Sequence, residues 1–195
     1  MMRVSRQSIP DILLVTGERF RDPRGWFRET YNGRAYADAG IGVVFVQDNE
    51  SCSMQAGTVR GLHYQLPPFA QAKLVRVLRG AIFDVAVDLR VGSPSFGRHI
   101  AVRLDAAGDD ALFVPTGFAH GFCTLTDDTV VSYKVSTLYA PQYEHGIRWD
   151  DPALGIHWPV TAERAVLSRK DAAWPSLDAV DRDALFRHAV TELVP

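Results

Sequence analysis

The most regular stretch of the chain is Ala81-Ile82-Phe83-Asp84-Val85-Ala86-Val87-Asp88-Leu89-Arg90. Its side chains alternate with a period of two, which places Phe83, Val85 and Val87 on one face and Asp84 and Asp88 on the other. Such alternation, in a run rich in β-branched and aromatic residues, is typical of a β-strand. Much of the chain repeats this alternation, so the sequence favours a β fold.

Residues 98–104 and 129–137 alternate in the same way, with Ile100 and Leu104 in the first and Val131 and Tyr133 in the second on the inward face. The same pattern predicts further strands at residues 11–16, 25–31, 43–50, 58–65, 73–78, 111–114 and 117–124. Turn signals rich in Pro and Gly separate these runs. Many short strands joined by turns predict a sandwich or a barrel, and no strand–helix alternation supports a parallel sheet.

Two short helices are predicted beside the strands. Asn32 is placed to cap a helix that runs through Ala39 and stops at Gly40. Ser176 is placed to cap a terminal helix, whose apolar side would carry Leu177, Val180, Ala184, Leu185 and His188. The segment from Trp158 onward has little strand pattern, so we expect it to wrap around the barrel.

Length and composition predict one globular domain over residues 1–195, with residues of about 175–195 as a peripheral tail. The net charge of -2 argues against a general nucleic-acid binder. No apolar run is long enough for a membrane span, and charged residues such as Arg3 and Arg6 interrupt any signal peptide. Cys52 and Cys123 form neither a disulfide framework nor a Cys-x-x-Cys motif. We therefore expect a cytoplasmic protein.

Two of the histidines have neighbours that suggest chemistry. His63 lies in the run Arg60-Gly61-Leu62-His63-Tyr64-Gln65. In a regular strand Arg60 and His63 would lie on opposite faces, unless a bulge near Gly61 redirects one of them. His120 falls on an inward, otherwise apolar face, where an imidazole needs a partner or a ligand. Packing in the core with one hydrogen bond is the alternative for His120.

Histidines on a β-barrel raise the possibility of a metal site. A cupin metal site usually has a second histidine two residues after the first, and Gln65 occupies that position here. His63 and His120 alone are too few ligands for a zinc or iron site, so the sequence predicts no metal. Imidazole, an inward tyrosine and nearby cations instead suit proton transfer beside a carbonyl group.

Several blocks of sequence, taken together, resemble the dTDP-4-dehydrorhamnose 3,5-epimerase family over about residues 9–177. They are Asp22-Pro23-Arg24-Gly25-Trp26-Phe27-Arg28-Glu29, Gln47-Asp48-Asn49, Arg60-Gly61-Leu62-His63-Tyr64-Gln65, Lys73-Leu74-Val75-Arg76-Val77, Phe83-Asp84-Val85-Ala86-Val87-Asp88, Pro115-Thr116-Gly117-Phe118-Ala119-His120-Gly121-Phe122 and Leu167-Ser168-Arg169-Lys170-Asp171.

The resemblance implies an all-β, cupin-type jelly-roll barrel of two antiparallel sheets with short peripheral helices. It implies a homodimer and a reaction without a cofactor. The implied reaction converts dTDP-4-dehydro-6-deoxy-D-glucose to dTDP-4-dehydro-L-rhamnose by inversion at C3 and C5. The 4-keto group acidifies both neighbouring C–H bonds, so one carbonyl can serve both inversions.

The resemblance also implies residue roles. His63 matches the base, Asp171 the carboxylate that orients it, Tyr133 the acid on the opposite face, and Lys73 the cation that stabilises the enolate oxygen. The substrate-binding positions it implies are Arg24, Glu29, Gln47, Asn49, Arg60, His120, Tyr139, Glu144 and Lys170. Of these, Tyr139 matches the aromatic residue that stacks on thymine. Without the resemblance, Asp171 would be read as a surface or capping residue.

Alternatives remain open from the sequence. Related proteins invert only C3 or only C5, and their motifs overlap heavily with these. Leu138 stands where many relatives carry a second aromatic residue before the stacking tyrosine, which suggests a looser nucleotide end or a different sugar. A metal-dependent cupin enzyme and a non-catalytic sugar-nucleotide-binding module are the other two readings.

Overall fold

The structure is a computed structural model that describes residues 2–188. Most of its regular structure consists of short β-strands. The strands are β1 Arg3–Arg6, β2 Leu13–Thr16, β3 Phe20–Asp22, β4 Gly25–Phe27, β5 Gln47–Ser53, β6 Val59–Gln65, β7 Lys73–Arg79, β8 Ala81–Asp88, β9 His99–Asp105, β10 Asp110–Val114, β11 Phe118–Thr124, β12 Thr129–Val135 and β13 Glu144–Gly146. One α-helix, α1, spans Gly33–Asp38 in the described part.

Two antiparallel sheets form the barrel. The first has six strands in the order β1-β2-β10-β7-β12-β5, and the second has five in the order β13-β6-β11-β8-β9. Their inner faces enclose a core that includes Val75, Ile82, Leu104, Leu112 and Val131, all at most 1% exposed. The predicted jelly roll of two antiparallel sheets is therefore confirmed.

Strand β8 is buried on both faces. Ile82 and Ala86 point into the barrel core, whereas Val85 and Val87 belong to a second apolar cluster on the outside of the sheet. Leu185 belongs to that outer cluster too, so the C-terminal segment covers the sheet from outside. Burial on both sides explains why β8 is so rich in apolar residues. The predicted wrapping by the tail is confirmed for the described residues.

The two helix predictions had different outcomes. Helix α1 begins after Asn32, whose side chain accepts a hydrogen bond from the Ala35 backbone at 3.2 Å, as predicted. The prediction of a single terminal helix is wrong, since the structure has short 3₁₀ turns at Leu177–Ala179 and Arg182–Ala184. The Asp181 side chain accepts from the Asp183 backbone, a local turn that competes with the helix. Residues 189–195 of the predicted tail lie outside the described residues.

Some strand bounds differ from the prediction. The strand predicted at 25–31 ends at Phe27, and the one predicted at 43–50 runs instead from Gln47 to Ser53. The pattern did not reveal β1, β3 or β13. These three strands have four residues or fewer, too short to display a period of two.

A bulge at Gly61 re-aims β6, which is the alternative that the sequence left open. His63 lies opposite His120 on β11, while Arg60 lies opposite Phe122, so β6 has one residue more than its partner. Gly61 has φ of +122°, and a Cβ there would lie 2.6 Å from the Gly121 Cα. As a result Arg60 and His63 both line one cavity.

Within the described residues, we find no helix with the length and apolar character that a membrane crossing requires.

Candidate active site

A cavity of about 450 Å³ lies between the two sheets of the barrel. All the residues that the sequence predicted for the site line it, except Arg24 and Glu29. These lining residues are Gln47, Asn49, Arg60, His63, Lys73, His120, Tyr133, Tyr139, Glu144, Lys170 and Asp171. The structure thus brings together side chains from β5, β6, β7, β11, β12, β13 and the C-terminal segment.

His63 forms a hydrogen-bonded pair with Asp171. The Nε2 atom of His63 lies 2.5 Å from Oδ1 of Asp171. The His63 side chain is 26% exposed and that of Asp171 only 6%. Burial raises the pKa of Asp171, but the hydrogen bond and charge of His63 and the hydroxyl of Ser168 together hold it below the usual 3.8. The carboxylate is therefore ionised and accepts the proton on Nε2.

The C-terminal segment brings Asp171 to the site. Val166 pairs with Gly57 and Val59 through backbone hydrogen bonds, which fixes the segment beside the start of β6. The Ser168 hydroxyl then donates to Oδ2 of Asp171 at 2.8 Å and accepts from the Asp171 backbone at 3.0 Å. Asp171 is a buried partner of His63, and the surface or capping reading of this residue is wrong.

His120 has its own carboxylate partner, which the sequence did not assign. Its Nε2 atom lies 2.7 Å from Oδ1 of Asp84, and both side chains are buried. His120 also borders the cavity. The two histidines are cross-strand neighbours on β6 and β11, and each is held by a different acid.

Lys73 lies on β7, opposite the histidines. Its ammonium group donates to the His63 carbonyl at 3.4 Å. Burial lowers the pKa of Lys73 to about 8, against the opposing effect of the negative charges of Glu144 and Asp84. An ammonium at this place can neutralise charge that develops on a substrate oxygen.

Tyr133 faces the cavity from the six-stranded sheet. It packs against the barrel core and borders the same cavity as His63. Burial and the charge of Glu144 raise the pKa of Tyr133 above its usual 10, although Arg60 opposes them. The phenol therefore carries its proton at neutral pH and can act as an acid.

Glu144, Lys170 and Tyr139 form a polar group at the edge of the cavity. Lys170 lies 2.5 Å from Oε2 of Glu144, and the Tyr139 hydroxyl donates to the same oxygen. Burial raises the pKa of Glu144, but Lys170 and Tyr139 lower it more, so the net shift is downward. Tyr139 is 52% exposed, so its ring is accessible to a ligand.

Three further predicted residues line the cavity. Gln47 donates to the Asn49 side chain at 2.8 Å and accepts from the Tyr139 backbone at 3.0 Å, which joins β5 to the segment after β12. The Arg60 guanidinium is anchored to Ser53 and to the Cys52 carbonyl. These contacts hold polar side chains in place before any ligand binds.

Gln65 has a structural role. Its amide donates to the carbonyls of Phe69 and Leu138 at 2.7 and 3.3 Å, and its oxygen accepts from the Ala140 backbone at 2.8 Å. The side chain thus ties two loops beside the cavity to β6. Among residues 2–188, no group of three or more His, Cys, Asp or Glu side chains is arranged to hold a metal ion.

Arg24 and Glu29 lie elsewhere in the chain. Arg24 is at the tip of the β3–β4 hairpin, 89% exposed and paired with Asp22. Glu29 lines a separate cavity of about 160 Å³ together with Tyr36 and Arg76. A single chain therefore does not bring these two residues to the site, and their substrate-binding roles stay predictions.

Comparison with known proteins is consistent with this geometry. A sequence model of the dTDP-4-dehydrorhamnose 3,5-epimerase family matches residues 6–179. The chain belongs to this family. A dTDP-4-dehydrorhamnose 3,5-epimerase of Sinorhizobium fredii is 52% identical over 170 residues, covering 87% of this chain and 87% of the relative.

Solved structures of family members share the fold. The dTDP-6-deoxy-D-glucose-3,5-epimerase of Legionella pneumophila, crystallised with dTDP-4-keto-L-rhamnose, matches with a TM-score of 0.93 at 40% identity. The match covers 97% of this chain and 100% of that one. A dTDP-4-dehydrorhamnose 3-epimerase of Streptomyces niveus is also similar, 39% identical over 95% of this chain and 84% of the relative. The family thus includes enzymes named for two centres and for one.

Proposed function

We propose that the protein epimerises dTDP-4-dehydro-6-deoxy-D-glucose at C3 and C5 to give dTDP-4-dehydro-L-rhamnose. One observation carries the proposal: His63 and Tyr133 flank one cavity from opposite sheets, with the ammonium of Lys73 beside it. A base and an acid on opposite sides of a planar enolate are what inversion at carbon requires. Membership in the family supports the choice of substrate.

His63 is the proposed base. Because Asp171 occupies Nε2, the other ring nitrogen, Nδ1, accepts the proton from the carbon next to the ketone. The imidazolium that forms is stabilised by the ionised Asp171, which itself keeps no proton. The C–H bond breaks, and its electron pair moves to the ketone oxygen as an enolate.

Lys73 is the proposed partner of the enolate oxygen. A cation held in a partly desolvated cavity stabilises such charge more strongly than a cation in water does. Tyr133 then donates its phenolic proton to the carbon from the other side, which inverts the centre. The same ketone acidifies C3 and C5. After each inversion His63 releases its proton and Tyr133 regains one by exchange with solvent, so the one set of groups serves both positions in turn.

We propose that the nucleotide end of the substrate binds near Tyr139, Glu144 and Lys170. Tyr139 is exposed enough to stack on thymine, and the guanidinium of Arg60 suits a diphosphate. Gln47 and Asn49 supply amide groups beside them. Leu138 is 59% exposed and provides an apolar surface at this end in place of a second aromatic ring.

The second candidate is an epimerase that inverts one centre only. The similarity to the 3-epimerase of Streptomyces niveus favours it, since that relative covers nearly the whole chain. Incubation of the purified protein with dTDP-4-dehydro-6-deoxy-D-glucose, followed by NMR assignment of the product, separates the two. The L-rhamno product supports the proposed function, and a product inverted at one carbon supports the second candidate. Unchanged substrate contradicts both.

We also propose that the active form is a homodimer in which the β3–β4 hairpin reaches the partner's cavity. Phe20, Trp26 and Phe27 on this hairpin are more than half exposed, an apolar surface of the kind that interfaces cover. The side chain of Arg24 at its tip is 89% exposed in the single chain, whereas a side chain that contacts a bound substrate is expected to be largely covered. Exchange of the hairpin would bring Arg24 to a site where the resemblance predicts it.

Mixed dimers test this arrangement. An Arg24→Ala subunit keeps its own His63, and a His63→Ala subunit keeps its own Arg24. If the hairpin serves the partner's site, a heterodimer of the two variants has one complete site, and mixing them restores activity. If Arg24 serves its own chain, or the protein is a monomer, the mixture is as inactive as either variant alone.

We further propose that residues 1–195 act as one domain in the cytoplasm. The packing of Leu177 and Leu185 onto the barrel supports the first point, because it joins the tail to the core. The free thiols of Cys52 and Cys123 fit the second, since reducing compartments keep thiols free.

A further inference from the structure

Asp84 lies next to the site without lining its cavity. It occupies the middle of β8, and its side chain has no exposed surface. Asp84 lies opposite Phe122 on β11, and His120 lies opposite Ala86, so the two side chains meet diagonally across the strand pair. His120 lines the cavity and Asp84 does not.

The burial of Asp84 is costly. One carboxylate oxygen contacts His120, but the other, Oδ2, is buried without a hydrogen-bond partner in the described residues. A buried carboxylate with an unpartnered oxygen costs free energy that packing alone does not recover. Asp88, four residues along the same strand, provides the contrast. Its buried carboxylate is bonded to Arg90, Ser93 and Ser95.

Asp84 also acts on the cation of the site. Its negative charge, with that of Glu144, favours the protonated form of Lys73 against the effect of burial. Around the cavity that Lys73 lines, the titratable groups of the surrounding strands are Arg60, His63 and Tyr64 on β6, Asp84 on β8, His120 on β11, Tyr133 on β12 and Glu144 on β13. Asp84 and Glu144 are the acids of this set, and of the two only Asp84 is in contact with His120.

We propose that Asp84 is a positioning residue of the reaction: it accepts the Nε2 proton of His120 and supports that ring as an imidazolium, so that Nδ1–H can donate to the enolate oxygen, and it supports the positive charge of Lys73. The site then has two carboxylate–histidine pairs, one for the base and one for the enolate oxygen. This inference rests on the proposed function, since it assigns Asp84 to the stabilisation of the same enolate.

The substitution Asp84→Asn tests the inference. The amide keeps the shape of the side chain and removes its charge. We expect kcat to fall by roughly 10- to 100-fold with KM changed less than about threefold, because the lost interaction acts mainly in the transition state. Without the Asp84 charge Lys73 loses its proton more easily, so the alkaline limb of kcat moves to lower pH by roughly half a unit or more.

Asp88→Asn is the matched control. It removes a carboxylate of equal burial from the same strand, but one whose partners lie outside the cavity. We expect this variant to have a lower melting temperature than the wild type and the same pH profile of kcat. If Asp84→Asn shows the same pattern as Asp88→Asn, the carboxylate of Asp84 is structural and the proposal is wrong.

A measurement on the wild-type protein covers the case in which Asp84→Asn does not fold. The proposal requires that Nε2 of His120 carry a proton across the active pH range, which ¹⁵N NMR of labelled histidine reports directly. An Nε2 without a proton would mean that Asp84 does not accept from it, and would overturn the proposal. Failure of the proposed function looks different, because the wild type would then leave the sugar nucleotide unchanged.

Discussion

The Nε2 atom of His63 and the Oδ1 atom of Asp171 lie 2.5 Å apart, although 108 residues separate them in the chain. The pair joins a barrel strand to a segment that wraps around the outside of the barrel. Asp171 thereby fixes which nitrogen of His63 is free for a substrate. The proposed base therefore depends on a residue from the segment that follows the last strand of the barrel.

Asp171→Asn should lower kcat by about 10²–10⁴, since the amide no longer supports an imidazolium at His63. It should also change stability in a pH-dependent way. The folded pKa of Asp171 lies below its ordinary value, so its stabilising effect is present above 3.8 and is lost as the pH falls through the folded value. Urea unfolding of both proteins at about pH 6 and about pH 3 measures this. An equal difference in unfolding free energy at both pH values would contradict it.

Lys73→Met should lower kcat by roughly 10²–10³ by removing the cation beside the enolate oxygen. In the wild type, kcat should fall as the pH rises through about 8, where Lys73 loses its proton. The variant should lack that limb. Lys134→Met is the control, because Lys134 pairs with Asp48 and does not line the cavity. A wild-type profile that stays flat through this range would argue against the role of Lys73.

Arg60→Ala should raise KM by about 10- to 100-fold with a smaller effect on kcat, as expected when a charge-assisted contact of roughly 1.5–3 kcal/mol is lost from substrate binding. Arg79→Ala provides the comparison, since Arg79 also reaches Cys52 but does not line the cavity. Steady-state kinetics of the two variants decide the matter. Equal KM values for the two variants would show that Arg60 does not contribute to substrate binding.

Gly61→Ala should destabilise the protein by roughly 2–4 kcal/mol, because the new Cβ would meet backbone atoms of β11 in addition to the strain of a positive φ. Gly92→Ala separates the two effects. Gly92 has φ of +89° and no atom within 4 Å of the added Cβ, so its cost should be about 1 kcal/mol. Urea unfolding measures the loss of unfolding free energy in each variant. Equal losses would mean that the close approach of β6 and β11 at Gly61 does not contribute to the destabilisation.

The sequence predicted most of the barrel because its strands display a period of two over seven or eight residues, as β8 and β9 do. It did not predict β13, which has three residues and is held by pairing with β6. Nor did it predict the 3₁₀ turns at Leu177–Ala179 and Arg182–Ala184. There the spacing of Leu177 and Leu185 suits a helix, but packing on the barrel and local Asp turns produce 3₁₀ turns instead.

The site was predicted unevenly for a similar reason. His63, Arg60 and Gly61 are close in sequence, so their relation through a bulge could be foreseen. Asp171 could be assigned only through the family resemblance, because its contact with His63 depends on the path of the whole tail. Asp84 was visible as an acid within an apolar strand, but its partner His120 lies on another strand and its role needed the register of β8 and β11.

The central claim is that His63 removes a proton next to the ketone of a dTDP-4-keto-6-deoxyhexose. Incubation of the substrate with the protein in D₂O, followed by NMR, measures exchange at C3 and C5 separately. We predict deuterium at both carbons with the wild type and exchange slower by about 10²–10⁴ with His63→Ala. A His63→Ala protein that exchanges as fast as the wild type would contradict the claim.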